Sequence, residues 1–387
     1  MKKNIILIIT FIIITSIYNI YYLKAENVKY ALTYKGKTPY ELSAHNREIS
    51  KYRKVGKLLN LNNDNIISIN NNSFIIYSFD KNNWRLETNI DINDTSLITD
   101  FAGRPKNFGH STFEENNWTV GDVDNDGIDD ILIWGENKYI VYNCRNGKIT
   151  KKTYRFPYYI SQSIIGDIDN DNKNEIISFC VYERNSEEAP MITYNLCVSK
   201  IIDNSVLLIW EDKNKFGFEN SGVVPPDTLD NISNIGYNHN VLIIQHSIFD
   251  MSNPSKFSIF TWTNSELKES TVSLYSESFL TVQKDTSTET FVPYVQWAFE
   301  PINKNSNTFL GYMIFSPSPS NKYSREFNTV VFSINKNKVK INSIIYKDIE
   351  QDYFSNQFYW MDIDGRGKGI LQLTNNYSGD STYYFYR

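Results

Sequence analysis

Two aspartate-rich loops of one design, GDVDNDGIDDIL at 121–132 and GDIDNDNKNEII at 166–177, each run straight into an apolar segment of β character. A loop repeated together with the strand that follows it is a repeated structural unit. The chain is therefore expected to be a β-repeat architecture.

In the first loop Asp122, Asp124, Asp126 and Asp130 occupy relative positions 1, 3, 5 and 9, and Gly127 at position 6 allows a sharp turn. Such spacing lets a short loop surround Ca²⁺ with oxygen donors. Position 12 is Ile133 and the flanks read as strands, which argues against an EF-hand. The second loop offers Asp167, Asp169, Asp171 and Glu175 at the same positions, with Asn172 in place of the glycine. Asn tolerates a left-handed backbone better than most residues. Carboxylates this crowded repel one another unless a cation or solvent intervenes, and hard oxygen donors select Ca²⁺ over softer metals. A third copy, MDIDGRGKGIL at 361–371, keeps Asp362 and Asp364 but has Arg366 at position 5, whose guanidinium supplies charge from within the protein. A fourth, LNLNNDNIISI at 59–69, offers Asn60, Asn62 and Asp64 and reads as a decayed structural copy.

After each loop the chain reads strand, turn, strand, turn, strand. The clearest unit is ILIW, KYIVYNC and KITKKTYRF, with Asn146-Gly147 as a hairpin turn between the last two. Units of this kind begin at Asn65, Ile131, Ile176, Asn240, Thr308 and Ile370, between 45 and 68 residues apart. The last stops after two strands, and VKYALTY at 28–34 is a free strand able to complete it. The expected fold is all-β: a single β-propeller of six blades, alternatively seven, over residues 26–387, its ring closed by an N-terminal strand. Only 40–55 leaves room for an amphipathic helix.

These residues and loops resemble the FG-GAP or VCBS repeat proteins, whose blades carry DxDxDGxxD calcium loops and which include the propeller head of integrin α-subunits. The resemblance rests on the loops at Asp122 and Asp167. It implies Ca²⁺ ligands at Asp122, Asp124, Asp126, the Ile128 carbonyl and Asp130, then at Asp167, Asp169, Asp171, the Lys173 carbonyl and Glu175. It also implies that such loops mainly brace blades.

Residues 1–25 open with Met1-Lys2-Lys3 and the apolar run IILIITFIIITSI, weakening towards Leu23. That pattern is an export signal, either cleaved after Leu23-Lys24-Ala25 or kept as a membrane anchor, with the body sent outward in both cases. The expected location is secreted, cell-surface or periplasmic. Net charge is −5 without a basic patch, which argues against a nucleic-acid partner. The three cysteines Cys144, Cys180 and Cys197 cannot all pair. Cys180 is expected opposite Asn195 or Tyr194 rather than Cys197, leaving buried free thiols.

Catalytic signatures are missing. Four histidines form no HExxH pair, no GxSxG elbow occurs, and the glycines at 365, 367 and 369 precede no helix. The seven tryptophans recur near blade strands, where they either pack between blades or offer stacking platforms for sugars. The expected function is a non-enzymatic exported propeller binding a protein or glycan. Alternatives are a carbohydrate-active enzyme, hydrolase or lyase, on the same scaffold, or a membrane-anchored assembly subunit.

Overall fold

The computed structural model describes residues 32–39, 42, 53–59, 62–70, 73–80, 82–92, 118–135, 137–145, 148–185, 191–212, 216–217, 232–238, 241–246, 256–273, 281–284, 287–290, 292–295, 300–301, 308–316, 326–335, 338–348, 356–375 and 381–387. Among them, apart from Leu42 in a 3₁₀ turn, the regular structure is β, arranged as antiparallel sheets. The export signal expected at 1–25 lies outside the described residues. Within them, no helix is long and apolar enough to cross a membrane.

Strand β1 (Leu32–Lys37) precedes the first sheet, which is β2 (Arg53–Gly56), β3 (Asn65–Asn70), β4 (Ser73–Asp80) and β5 (Asn83–Asp91) in that order. The second sheet is β6 (Trp118–Gly121), β7 (Asp130–Gly135), β8 (Lys138–Arg145) and β9 (Lys148–Arg155). The third is β10 (Tyr159–Gly166), β11 (Glu175–Asn185), β12 (Met191–Ile202) and β13 (Ser205–Glu211), with β14 (Phe216–Gly217) added to β12. The fourth is β15 (Ile232–Asn238), β16 (Val241–His246), β17 (Lys256–Thr263) and β18 (Glu266–Ser273). A hairpin of β19 (Thr281–Lys284) and β20 (Ser287–Thr290) follows. In the fifth sheet β21 (Val292–Val295) and β22 (Glu300–Pro301) both pair β23 (Thr308–Ser316), which is followed by β24 (Glu326–Asn335) and β25 (Lys338–Asp348). The sixth is β26 (Asn356–Met361), β27 (Gly369–Asn375) and β28 (Ser381–Tyr386), completed by β1 from the other end of the chain.

Of the strand expected at 28–34 to complete the last unit, 32–34 form part of β1, which runs to Lys37 and pairs β28; 28–31 lie outside the described residues. Residues 53–55 of the stretch considered for a helix belong to β2 instead.

The middle strands of the second sheet, β7 and β8, are buried on both faces, because that sheet is sandwiched between the first and the third. Ile131 and Ile133 face the first sheet, packing with Ile67, Phe74 and Ile76. Their neighbours Leu132 and Trp134 face the third, with Ile160, Ile176 and Cys180. One side of β4 likewise meets Tyr359, Leu371 and Phe385 of the sixth sheet, while Phe179 and Leu196 meet Leu242 and Phe260 of the fourth. The last strand of a sheet is an edge. In β9, with four exposed lysines and arginines guarding it, only Tyr154 is buried.

First strands of successive sheets lie side by side: β2 by β6, β6 by β10, β10 by β15, β15 by β22, β22 by β26, and β26 by β2. Gly121, ending β6, is needed for that proximity, since a Cβ there would stand 2.8 Å from Ile165 of β10. The hairpin turns fit their sequences: Asp203 and Asn204, then Asn264 and Ser265, hold two consecutive positive φ angles as a type I′ turn requires. Asn146-Gly147 lies outside the described residues, although the strands it joins pair Arg145 with Lys148 as a two-residue loop would. Cys180 pairs with Asn195, and all three cysteines are free and buried.

Candidate functional site

The acidic loops all bridge the first and second strands of their sheets, and they share one internal design. Asp122 accepts hydrogen bonds from the N–H groups of Asp126 (3.0 Å) and Gly127 (2.7 Å), and Asp167 does the same for Asp171 (3.1 Å) and Asn172 (2.9 Å). In the third loop Asp362 serves Gly365 and Gly367. These bonds force the turn, and the residue at position 6 pays with positive φ: 87° at Gly127 and 63° at Asn172. Asp126 and Asp171 cap the N–H groups of Ile128 and Lys173.

The carboxylate at position 9 opens the second strand and is wholly buried at both Asp130 and Glu175. Each turns back to accept the N–H at position 2, Val123 at 3.1 Å and Ile168 at 2.8 Å. Burial, with Asp124 close by, pushes the Asp130 carboxyl up to about 7. Burial also raises Glu175.

Carboxylate oxygens of Asp122, Asp124 and Asp130 lie within 4.8 Å of one another, as do those of Asp167, Asp169 and Glu175, so two clusters could hold a metal ion. The donor sets are all-oxygen and anionic, which fits a hard cation. Asp126 and Asp171 stand outside these clusters, tied up by loop and cross-strand partners.

Three residues beyond the loops escaped sequence reasoning because they sit on the third strand of each sheet. Continuing the β7–β8 register by one residue sets Asn143 opposite Asp130, and its amide donates to Asp130 Oδ1 at 2.7 Å. Continuing the β11–β12 register by one residue sets Lys200 opposite Glu175, and Lys200 Nζ lies 2.8 Å from Glu175, 2.7 Å from Asp171 and 3.3 Å from Asp169. Arg145 reaches the outer side of the first loop, 2.5 Å from Asp124 and 2.6 Å from Asp126. In the third loop Arg366 does bind Asp364 as expected (2.9 Å), yet Arg387 binds it more tightly (2.6 Å), and Tyr34 of β1 donates to it at 2.8 Å.

In three of the loops position 8 links the loop to the preceding sheet. Asp129 exchanges hydrogen bonds with the Lys57 backbone, Asn174 with Asn125 and the Asp122 carbonyl, and Asp64 with the backbone of Asp362. This corrects the alignment of the fourth loop. Asp64 is a position 8 residue, and buried Asn65, accepting from the Leu58 N–H, holds position 9. Positions 1 and 3 are then Lys57 and Leu59, so that loop has no ligand set.

Between the first and sixth sheets a polar cleft of about 480 Å³ is lined by Tyr34, Asn62, Asn82, Arg85, Glu87 and Asp364, among others. Arg85 grips Glu87 through two nitrogens, at 2.9 and 2.8 Å, and Ser78 also donates to Glu87. The Arg85 hydrogen bonds hold the Glu87 carboxyl below its ordinary range despite partial burial. Tryptophans 118 and 134 are buried between sheets, so packing rather than stacking is their role.

No family model matches the chain, and no curated protein matches it in sequence. Among solved structures it is similar to a hypothetical selenium-binding protein from Sulfolobus tokodaii, at 10% identity and a TM-score of 0.42, covering 81% of this chain and 68% of that one. It is also similar to an exo-beta-1,3-galactanase from Phanerochaete chrysosporium, at 12% identity and a TM-score of 0.36, covering 85% of this chain and 73% of that one. Neither likeness identifies a family or an activity.

Proposed function

We propose that this chain is an exported, non-enzymatic β-propeller of six blades, braced by Ca²⁺ and presenting a binding surface for a protein or glycan outside the cytoplasm, in the manner of FG-GAP and VCBS repeat proteins. Its N-terminal segment serves as signal or membrane anchor. The observation carrying the ring is the series of neighbouring first strands, which passes through six sheets from β2 and comes back to β2.

The loops support a bracing role. Their aspartates hold backbone N–H groups within the loop, and position 8 ties one sheet to the next. Asp122, Asp124 and Asp130 would hold the ion in the first loop, neutralising a buried carboxylate that otherwise resists ionisation. The ion would stabilise the junction of the first and second strands.

The cleft between the first and sixth sheets supports binding over hydrolysis. It offers amides, a guanidinium and a tyrosine ring, the groups that engage sugar hydroxyls and polar peptide. Its Glu87 is held ionised by Arg85, the wrong state for a general acid at neutral pH. A glycan array with wild type and Arg85→Ala, run beside polysaccharide digestion, tests this. Retention that weakens in the variant, with no sugar released, is expected; released oligosaccharide would overturn the non-enzymatic reading.

A further inference from the structure

The two acidic loops match position for position, yet the residues facing them from the third strand differ in charge. Opposite the buried position 9 carboxylate stands Asn143 in the second sheet and Lys200 in the third. Strand register dictates this difference, so it is a fixed property of the two blades.

In the third sheet the Lys200 ammonium lies within 3.3 Å of three carboxylates, Asp169, Asp171 and Glu175. Two of these, Asp169 and Glu175, belong to the cluster whose oxygens lie within 4.8 Å of one another. Its side chain is only 16% exposed, and Glu175 is fully buried. Moving the ammonium out to admit a divalent ion would strip it of all three partners at once, and the ion and the ammonium would repel each other if both remained. In the second sheet the facing group is a neutral amide. Arg145, the cation near that loop, touches Asp124 and Asp126 but not Asp130, and its 37% exposed side chain has water to swing into.

From this contrast, and resting on the reading that these loops are cation braces, we infer that Lys200 occupies the ion's place in the second acidic loop: the loop at Asp167 is a metal-free copy locked by a tethered ammonium, and the loop at Asp122 is the one that takes Ca²⁺. A protein cation replaces a borrowed one, which makes the third blade's brace independent of external calcium. The third loop repeats the device, with Arg387 and Arg366 both on Asp364.

Calcium equivalents bound by the full-length protein, counted by equilibrium dialysis with ⁴⁵Ca²⁺, test the inference. Lys200→Asn gives the second loop the facing residue of the first and is expected to bind one equivalent more than wild type. Lys200→Ala, should the asparagine variant fold poorly, is expected to gain the same equivalent, and circular dichroism checks both. The reciprocal Asn143→Lys should lose one equivalent. Two equivalents in wild type, or no gain in folded Lys200 variants, would overturn the inference. Wild type binding none while Lys200→Asn binds one would instead remove the calcium reading of the first loop and leave the role of Lys200 standing.

Discussion

Asp364 shows how much of a loop's chemistry a single residue can carry. Burial alone would raise its carboxyl, but hydrogen bonds from Arg387 and Tyr34, then from the Arg366 N–H, pull it well below the ordinary 3.8. A carboxylate depressed in the folded state stabilises fully above its unfolded pKa, and that contribution drains away as pH falls through and below that range. Asp364→Asn is therefore expected to cost about 1.5–3 kcal/mol at neutral pH. In urea unfolding curves taken between pH 6 and pH 2, its stability should fall less steeply than wild type's; parallel acid limbs would show that Asp364 is not what acid breaks. The sequence placed Arg366 beside this carboxylate correctly. It could not place Arg387 or Tyr34, which arrive from the far end of the sheet and from the other end of the chain. Lys200 was hidden for the same reason: a lysine 25 residues after Glu175 carries no local signal, and only strand register brings it across.

Strands of the first, second and third sheets were legible where apolar runs lie between turn residues, as in ILIW, KYIVYNC and SFIIYSF. The first strand of each sheet was not. RKVG and WTVG have four residues and no alternation, and they become strands because a longer apolar neighbour pairs with them. The glycine that ends β6 reads in sequence as the opening of an acidic turn; in the fold it is the contact point with β10. Gly121→Val is expected to lose about 1–3 kcal/mol by overpacking against Ile165. Urea unfolding of that variant measures it, and an unchanged midpoint would mean the two strands are not so closely apposed. Trp118, buried against Phe74 with ring centroids 5.0 Å apart, tests the face between sheets. Its replacement by Ala should cost about 3–5 kcal/mol.

For the whole molecule, the loop repeat and strand rhythm were enough to read an all-β array whose last sheet needs outside help. The helper is β1, and Tyr34 both packs on Phe79 of the first sheet and hydrogen-bonds the loop of the sixth. A chain beginning at residue 38 should leave the β28 edge open and self-associate on gel filtration. What the loops hold is a separate matter from the sheets they decorate, and Ca²⁺ bracing of the loop at Asp122 is the central claim. Chemical unfolding at about millimolar Ca²⁺ and again with chelator, on wild type and on Asp124→Ala, tests it most directly. With a dissociation constant near ~10⁻⁴ M, typical of weak extracellular sites, wild type should gain about 1.4 kcal/mol from calcium and the variant almost none. Superimposable wild-type curves in calcium and in chelator would contradict it.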